Sequence, residues 1–88
     1  MLMNRKIFAL DLSVEATSAY ILICTLVESG APVTIESAGP FWNDSPEALT
    51  RALEELNRHR VISEALDSNQ MRQYLLNPPD HWEKAEES

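Results

Sequence analysis

The feature that most constrains the fold is an apolar run of nine residues, Ala19 to Val27, which Thr25 alone interrupts. The run is apolar at odd and even positions alike and is rich in β-branched and aromatic side chains. Both properties are typical of a central strand that is covered on both faces. The run is also far shorter than the roughly 20 apolar residues that a membrane-spanning helix needs. We therefore predict that it is the middle strand of a sheet.

The segments on either side of this run predict its neighbours in the sheet. Residues 6–16 alternate between apolar and polar, which is the period of a strand with one face on a core. A turn cluster follows the run at residues 28–32, and residues 33–37 alternate again. The simplest arrangement is a three-stranded antiparallel β-meander in the order 1-2-3.

An alternative interpretation makes residues 13–27 a helix that follows a first strand. Ser13 would be its N-cap, and Glu15 would lie in its first turn, near the positive end of the helix dipole. The density of β-branched and aromatic residues favours the strand. The helix stays open as the alternative at this point.

Signals for a helix are strong after residue 44. Ser45 is a suitable N-cap, Pro46 would occupy the first helical position, and Glu47 would face the positive end of the dipole. The apolar residues that follow have the spacing of one buried stripe. They are Leu49, Ala52, Leu53 and Leu56. The stripe stops there, so we predict that this main helix ends or kinks near His59.

A second, short helix is predicted from Ser68 to Leu76, because Asp67 and Gln70 have the spacing of a capping box. The predicted fold class is therefore α+β: a three-stranded antiparallel β-meander followed by one main helix and a short C-terminal helix. The element order would be β-β-β-α-α. We expect a single domain over residues 1–79 and a disordered acidic tail over residues 80–88.

The predicted sheet leaves one face uncovered. A first hairpin turning at residues 17–18 would collect most of the large aliphatic side chains, Val14 and Ile21 among them, on the face that the main helix covers. The opposite face would carry an apolar stripe on the middle strand, made of Tyr20, Leu22, Cys24 and Leu26. An exposed apolar strip rimmed by polar residues commonly marks an interface. We predict that these four residues form a protein interface, and a twofold homodimer is the simplest way to bury them.

Composition excludes several functional classes. Fourteen acidic residues against seven basic ones give a formal net charge of −7, which repels phosphate backbones and disfavours a nucleic-acid partner. The only two glycines, Gly30 and Gly39, fit neither a dinucleotide fingerprint nor a phosphate loop. An apolar stretch near the start ends at Asp11 after four residues, which is too short for a secretory core. We therefore expect a cytoplasmic protein with no cofactor and no membrane segment.

Two carboxylates give the strongest chemical alternative. Asp11 and Glu36 would lie on the outer face of the predicted sheet, where paired carboxylates can hold a divalent ion or act as acid and base. The structural interpretation is that strands one and three are edges, and that edge strands carry charge to discourage aggregation. We favour this structural interpretation, because neither carboxylate belongs to a recognisable motif.

Other reactive or aromatic residues also have a structural interpretation that we favour. Cys24 could act as a nucleophile with His59 or His81, but no signature surrounds it, and such a thiol usually behaves as a small hydrophobe. The basic residues at 58–60 are interpreted as neutralising a helix end rather than binding phosphate. The pair at 41–42, Phe-Trp, is interpreted as a plug for the core, with recognition as the alternative. Trp82 is interpreted as part of a solvated tail, with a short docking peptide as the alternative.

The predicted order of three strands and then a helix opening at residues 44–48 resembles the partial RNase H-like domain of the HicB-like antitoxins. The resemblance covers residues 6–58 and lies mainly in the order of elements; the family's glycine- and proline-bearing motif between strands two and three is missing. Asp11, in Phe-Ala-Leu-Asp-Leu, also resembles the aspartate on the first strand of larger RNase H-like nucleases. This chain is too short to supply their other carboxylates.

These observations predict a small regulatory or protein–protein interaction module without catalytic activity, which associates with itself or with another protein. An acidic antitoxin-like subunit is one concrete version. The alternative is a metal-binding or hydrolytic enzyme that uses Asp11 and Glu36.

Overall fold

The computed structural model describes residues 4–66 and 68–83. It is α+β, and its α-helices precede a two-stranded antiparallel sheet. The helices and strands are α1 (Val14–Glu28), α2 (Ile35–Ala38), α3 (Pro46–Arg58), β1 (Ile62–Leu66) and β2 (Arg72–Leu76). Three short 3-10 helices lie at Arg5–Leu10, Gly39–Phe41 and Pro79–His81.

The predicted three-stranded meander is wrong. The first predicted strand is a 3-10 helix followed by the start of α1, and the predicted middle strand is the body of α1. The third predicted strand, residues 33–37, overlaps α2 in sequence. The predicted short helix at residues 68–76 is also wrong, since Arg72–Leu76 is strand β2. The resemblance to the antitoxin domain rested on the order of three strands and a helix, and that order is not present.

The buried positions of helix α1 follow the helical period. Ala16, Ala19, Tyr20, Ile23 and Cys24 recur at the i, i+3, i+4, i+7 and i+8 spacing, and all five are buried. Helix α1 packs against α3. The Ser13 hydroxyl caps the helix by accepting a hydrogen bond from the Ala16 amide at 3.1 Å, as the alternative interpretation proposed.

Helix α1 ends in a Schellman motif, which the turn cluster at residues 28–32 supplies. The Gly30 amide donates to the Val27 carbonyl at 3.1 Å, and the Ala31 amide donates to the Leu26 carbonyl at 2.9 Å. Gly30 has a φ of 79°, a left-handed conformation that glycine adopts without the cost that a side chain would bring.

The prediction for α3 is confirmed. Ser45 is its N-cap, with its hydroxyl accepting from the Ala48 amide at 3.1 Å, Pro46 is its first residue, and His59 is its C-cap. The four predicted apolar residues are all buried: Leu49, Ala52, Leu53 and Leu56. These signals are local in sequence, so they act in the same way whatever surrounds the helix.

The hairpin pairs β1 with β2 in an antiparallel register that places Glu64 opposite Tyr74. A backbone hydrogen bond of 2.8 Å from the Tyr74 amide to the Val33 carbonyl ties the hairpin to the segment after α1. Of the two residues of the predicted capping box, Gln70 has a left-handed φ of 62° in the connection between the strands, and Asp67 lies outside the described residues.

The segment after the hairpin belongs to the core. Trp82 is only 6 % exposed and meets Tyr20 edge to face, with ring centroids 5.5 Å apart. Its indole nitrogen donates to the Asn77 carbonyl at 3.0 Å, and the next residue, Glu83, donates its amide to the His59 carbonyl at 2.7 Å. The tail predicted to begin at residue 80 therefore does not begin before residue 84, and residues 84–88 lie outside the described part of the chain.

Candidate functional site

A groove of about 520 Å³ runs beside α1, between the outer surface of that helix and the segment that leads into α3. We call it the α1 groove. It is lined by Val14, Glu15, Ser18, Ile21, Leu22, Thr25, Phe41, Trp42, Asn43 and Asp44. Two regions of the sequence therefore build it, residues 14–25 and residues 41–44.

Apolar side chains line this groove without being buried in it. Val14 is 80 % exposed, Phe41 66 % and Ile21 44 %, while Leu22 and Trp42 are half-buried and pack against the core. Exposed apolar residues scattered singly need no explanation, but a contiguous set rimmed by polar residues is typical of a binding surface.

The segment that forms the second wall is held in place by hydrogen bonds. The Trp42 indole nitrogen donates to the carbonyl of Ser45, the N-cap of α3, at 3.1 Å. The Trp42 amide donates to the Gly39 carbonyl at 3.0 Å and closes the short helix that carries Phe41. The wall is thus hydrogen-bonded to the start of α3.

The charge of the α1 groove has one sign. Its two ionisable lining residues are Glu15 and Asp44, both exposed, and the remaining polar residues are neutral. Arg51 and Arg58 line a second cavity, between the start of α1 and α3, and Glu15 lines both this cavity and the groove. The charged side chains of the α1 groove are therefore both acidic, and its other polar side chains are neutral.

The second cavity, of about 340 Å³, contains a link between two helices. Glu55 on α3 accepts two hydrogen bonds from Ser13, one from the amide at 2.8 Å and one from the hydroxyl at 2.7 Å. Partial burial alone would raise the pKa of Glu55. The two Ser13 hydrogen bonds, together with the charges of His59 and Arg58, outweigh it and lower that pKa overall. Glu55 thus satisfies the free amide at the start of α1.

The predicted interface residues lie on α1 and not on a strand. Tyr20, Cys24 and Leu26 are buried by the chain itself, and of the four only Leu22 lines the α1 groove. Burial raises the pKa of Tyr20 to about 12. Burial is also the main cause that raises the pKa of the Cys24 thiol, and a thiol that stays protonated is a poor nucleophile. The predicted interface through all four side chains depended on an uncovered sheet face, and these residues do not lie on a sheet.

The predicted carboxylate pair is not on one sheet face either. Asp11 follows the first 3-10 helix with a left-handed φ of 57°, and Glu36 lies in α2. Within residues 4–66 and 68–83 there is no group of three or more histidine, cysteine or acidic residues that could hold a metal ion.

His59 and Arg60 both contact Glu83, in the segment that follows the hairpin. The His59 ring contacts the Glu83 carbonyl through Nδ1 at 2.6 Å, and Arg60 pairs with the Glu83 carboxylate at 3.3 Å. His81 lies, exposed, in the last 3-10 helix and is not part of a cluster with Cys24 in the described structure.

The sequence contained two signals for the groove. The Phe-Trp pair at 41–42 was predicted to plug the core, with recognition as the alternative, and the structure leaves Phe41 exposed and Trp42 half-buried. Val14 and Ile21 were assigned to the covered face of a sheet, because the strand period places them there. The helical period places them on the outer surface instead.

No family model, no curated protein and no solved structure matches the chain. Among the described residues, none of the helices has the length and apolar character required to cross a bilayer.

Proposed function

We propose that this protein is a protein-binding module without catalytic activity, and that the α1 groove is its contact surface. The observation that carries the proposal is the exposure of Val14, Ile21 and Phe41 around one concave site. Covering these side chains with a partner would remove apolar area from water at about 25 cal/mol for each Å². A cytoplasmic setting, where the buried Cys24 thiol stays reduced, is part of the proposal.

The chemistry of the α1 groove favours contact over a reaction. Its acids are exposed side chains that lie at the rim of an apolar surface, and the Thr25 hydroxyl is engaged by the Ile21 carbonyl of its own helix at 3.1 Å. Active sites bring titratable groups together in surroundings that shift their pKa values, whereas interfaces combine an apolar centre with a polar rim. The α1 groove has the second composition.

A photo-crosslinking amino acid at position 21 tests the proposal in the cells from which the sequence derives. We expect discrete protein adducts from this position, identified by mass spectrometry. The matched control carries the same group in place of Glu54, which is exposed on α3 and outside the groove. Adding Ser18→Trp, which fills the α1 groove from an exposed position, should remove the adducts at position 21.

Two results would contradict the proposal. One is the same adduct pattern from positions 21 and 54, and the other is a pattern at position 21 that Ser18→Trp leaves unchanged. An adduct between two copies of the chain would identify the partner as a second protomer, so the experiment also separates self-association from binding to a different protein.

A further inference from the structure

We infer that the α1 groove binds a basic amphipathic helix of a partner protein, with the partner's apolar side chains in the groove and its lysine or arginine side chains beside Glu15 and Asp44. This inference rests on the proposed function and deepens it, because it names the chemistry of the partner. It follows from the charge of the groove, the charge of the whole chain and the shape of the α1 surface.

The local charge is the first step. The polar rim carries two carboxylates and no lysine or arginine among the lining residues that the structure describes. An acidic partner would bring like charges together at this rim, which costs free energy, whereas a basic partner gains complementary pairs. The apolar walls supply the affinity, and the rim selects the sign of the partner's charge.

The charge of the chain acts in the same direction at longer range. A formal net charge of −7 draws a cationic segment toward the protein and speeds encounter at low salt. The same charge repels a second copy of this acidic chain. Net charge therefore favours a different, basic protein over a homodimer as the occupant of the α1 groove.

The shape of the groove selects a helix. Val14, Ser18, Ile21 and Thr25 follow the i, i+4, i+7 and i+11 spacing, so they form one ridge along the outer surface of α1. That ridge is about 16 Å long, which matches about three turns of a second helix. Phe41 and Trp42 bound the ridge on one side, so a helix lying along α1 would place its apolar face between two walls.

The test uses the full chain, labelled with ¹⁵N, and three synthetic peptides of about 12 residues, or about three helical turns. All three have the same apolar face, and their polar faces carry lysine and arginine, glutamine, or glutamate. The change in the chemical shift of each amide on adding a peptide shows which residues lie at the binding site. The Trp42 side chain lines the groove, so its indole NMR signal reports binding there. The indole signal of the buried Trp82 serves as an internal control.

We expect the basic peptide to shift the amides of Ser18, Ile21 and Thr25 and the Trp42 indole signal, and to leave the Trp82 indole signal in place. Its affinity should fall as salt is added, because exposed charge pairs are screened. The double variant Glu15→Gln/Asp44→Asn should weaken binding by roughly threefold to tenfold, which lies within the range expected for two exposed charge pairs. The matched control, Glu54→Gln/Glu64→Gln, removes the same net charge away from the groove and should leave the affinity within about twofold.

The outcomes separate this inference from the proposed function. Equal binding of the glutamine or glutamate peptide overturns the inference, and so does an equal effect of the two double variants. Shifts that grow with the concentration of the protein alone, at the same residues, show a second copy in the groove and overturn it as well. If none of the peptides shifts the groove while position 21 gives adducts, the inference fails and the proposed function stands. The proposed function itself fails on the results named for the position 21 and position 54 comparison.

Discussion

At the scale of single residues, Glu55 connects the two long helices. Its carboxylate accepts from the Ser13 amide and hydroxyl, while the same Ser13 hydroxyl caps α1 by accepting from Ala16. One side chain on α3 therefore stabilises both the cap of α1 and the contact between the helices. This link joins residues far apart in sequence, so no local pattern reveals it.

Replacing Glu55 with alanine should lower the free energy of unfolding by about 1–2 kcal/mol, since it removes two hydrogen bonds to a charged acceptor. Urea unfolding followed by circular dichroism measures this change. Glu54→Ala on the same helix is the control, because Glu54 is exposed and the change in helix propensity is identical. Equal losses for the two variants would show that the Ser13 link contributes nothing to stability.

The lowered pKa of Glu55 predicts a dependence on pH. A carboxylate whose pKa is lower in the folded than in the unfolded state adds stability above its unfolded pKa, about 4.3, and loses it as the pH falls through the folded value. Glu55→Gln has no such group, so its stability should fall less than that of the wild type between about pH 6 and pH 3. Glu54→Gln is the control and should follow the wild type. A wild-type loss no larger than that of Glu55→Gln would contradict the assignment.

At the scale of elements, α1 and α3 end in the same motif with different residues. In α3 the Arg60 amide donates to the Asn57 carbonyl at 3.1 Å, and the Val61 amide donates to the Leu56 carbonyl at 3.0 Å. Arg60 has a left-handed φ of 61° at the position that Gly30 occupies after α1. A side chain in this conformation costs about 1–2 kcal/mol, so α3 ends under a strain that α1 avoids.

Two substitutions of Arg60 isolate this strain. Arg60→Gly and Arg60→Ala both remove the exposed pair with Glu83, and only glycine also removes the steric cost of the left-handed conformation. We therefore expect Arg60→Gly to be more stable than Arg60→Ala by about 1 kcal/mol in urea unfolding. Gly30→Ala should be destabilising by a similar amount, for the same reason at the end of α1. Equal stability of the two Arg60 variants would show that this backbone position stores no strain.

At the scale of the whole molecule, residues 82–83 close the fold. Trp82 packs against Tyr20 of α1 and donates to Asn77, and Glu83 is bonded through its backbone to both the carbonyl and the ring of His59. Sequence reasoning placed these residues in a solvated tail, because acidic residues surround Trp82. The tertiary fold uses the indole as a core side chain instead.

Trp82→Ala should lower the free energy of unfolding by about 3–5 kcal/mol, as expected for emptying a buried aromatic site. Thermal unfolding of this variant measures the loss against His81→Ala, a change at the exposed neighbouring residue. Trp82→Phe keeps an aromatic ring against Tyr20 but loses the hydrogen bond to Asn77, so it should lie between the two. A Trp82→Ala variant as stable as His81→Ala would show that this segment is a solvated tail.

Local patterns in the sequence specify α3 and the turn at residues 28–32. The N-cap Ser45, the apolar stripe and the turn at Gly30 are local signals whose physical effect depends on neighbours a few residues away. Such signals keep their meaning in any surroundings, so they could be interpreted without a structure. The sequence also showed that the run from Ala19 to Val27 is apolar on more than one side.

Tertiary contacts make this run a helix, and they therefore determine which of its residues are exposed. Changing the period from 2 to 3.6 exchanges the faces: Tyr20 and Cys24 enter the core, while Val14 and Ile21 line the α1 groove. In a segment that is apolar all round, neither period is visible in the sequence. The choice between them is made by packing against α3, by the contact between Ser13 and Glu55, and by Trp82, all of which join residues distant along the chain.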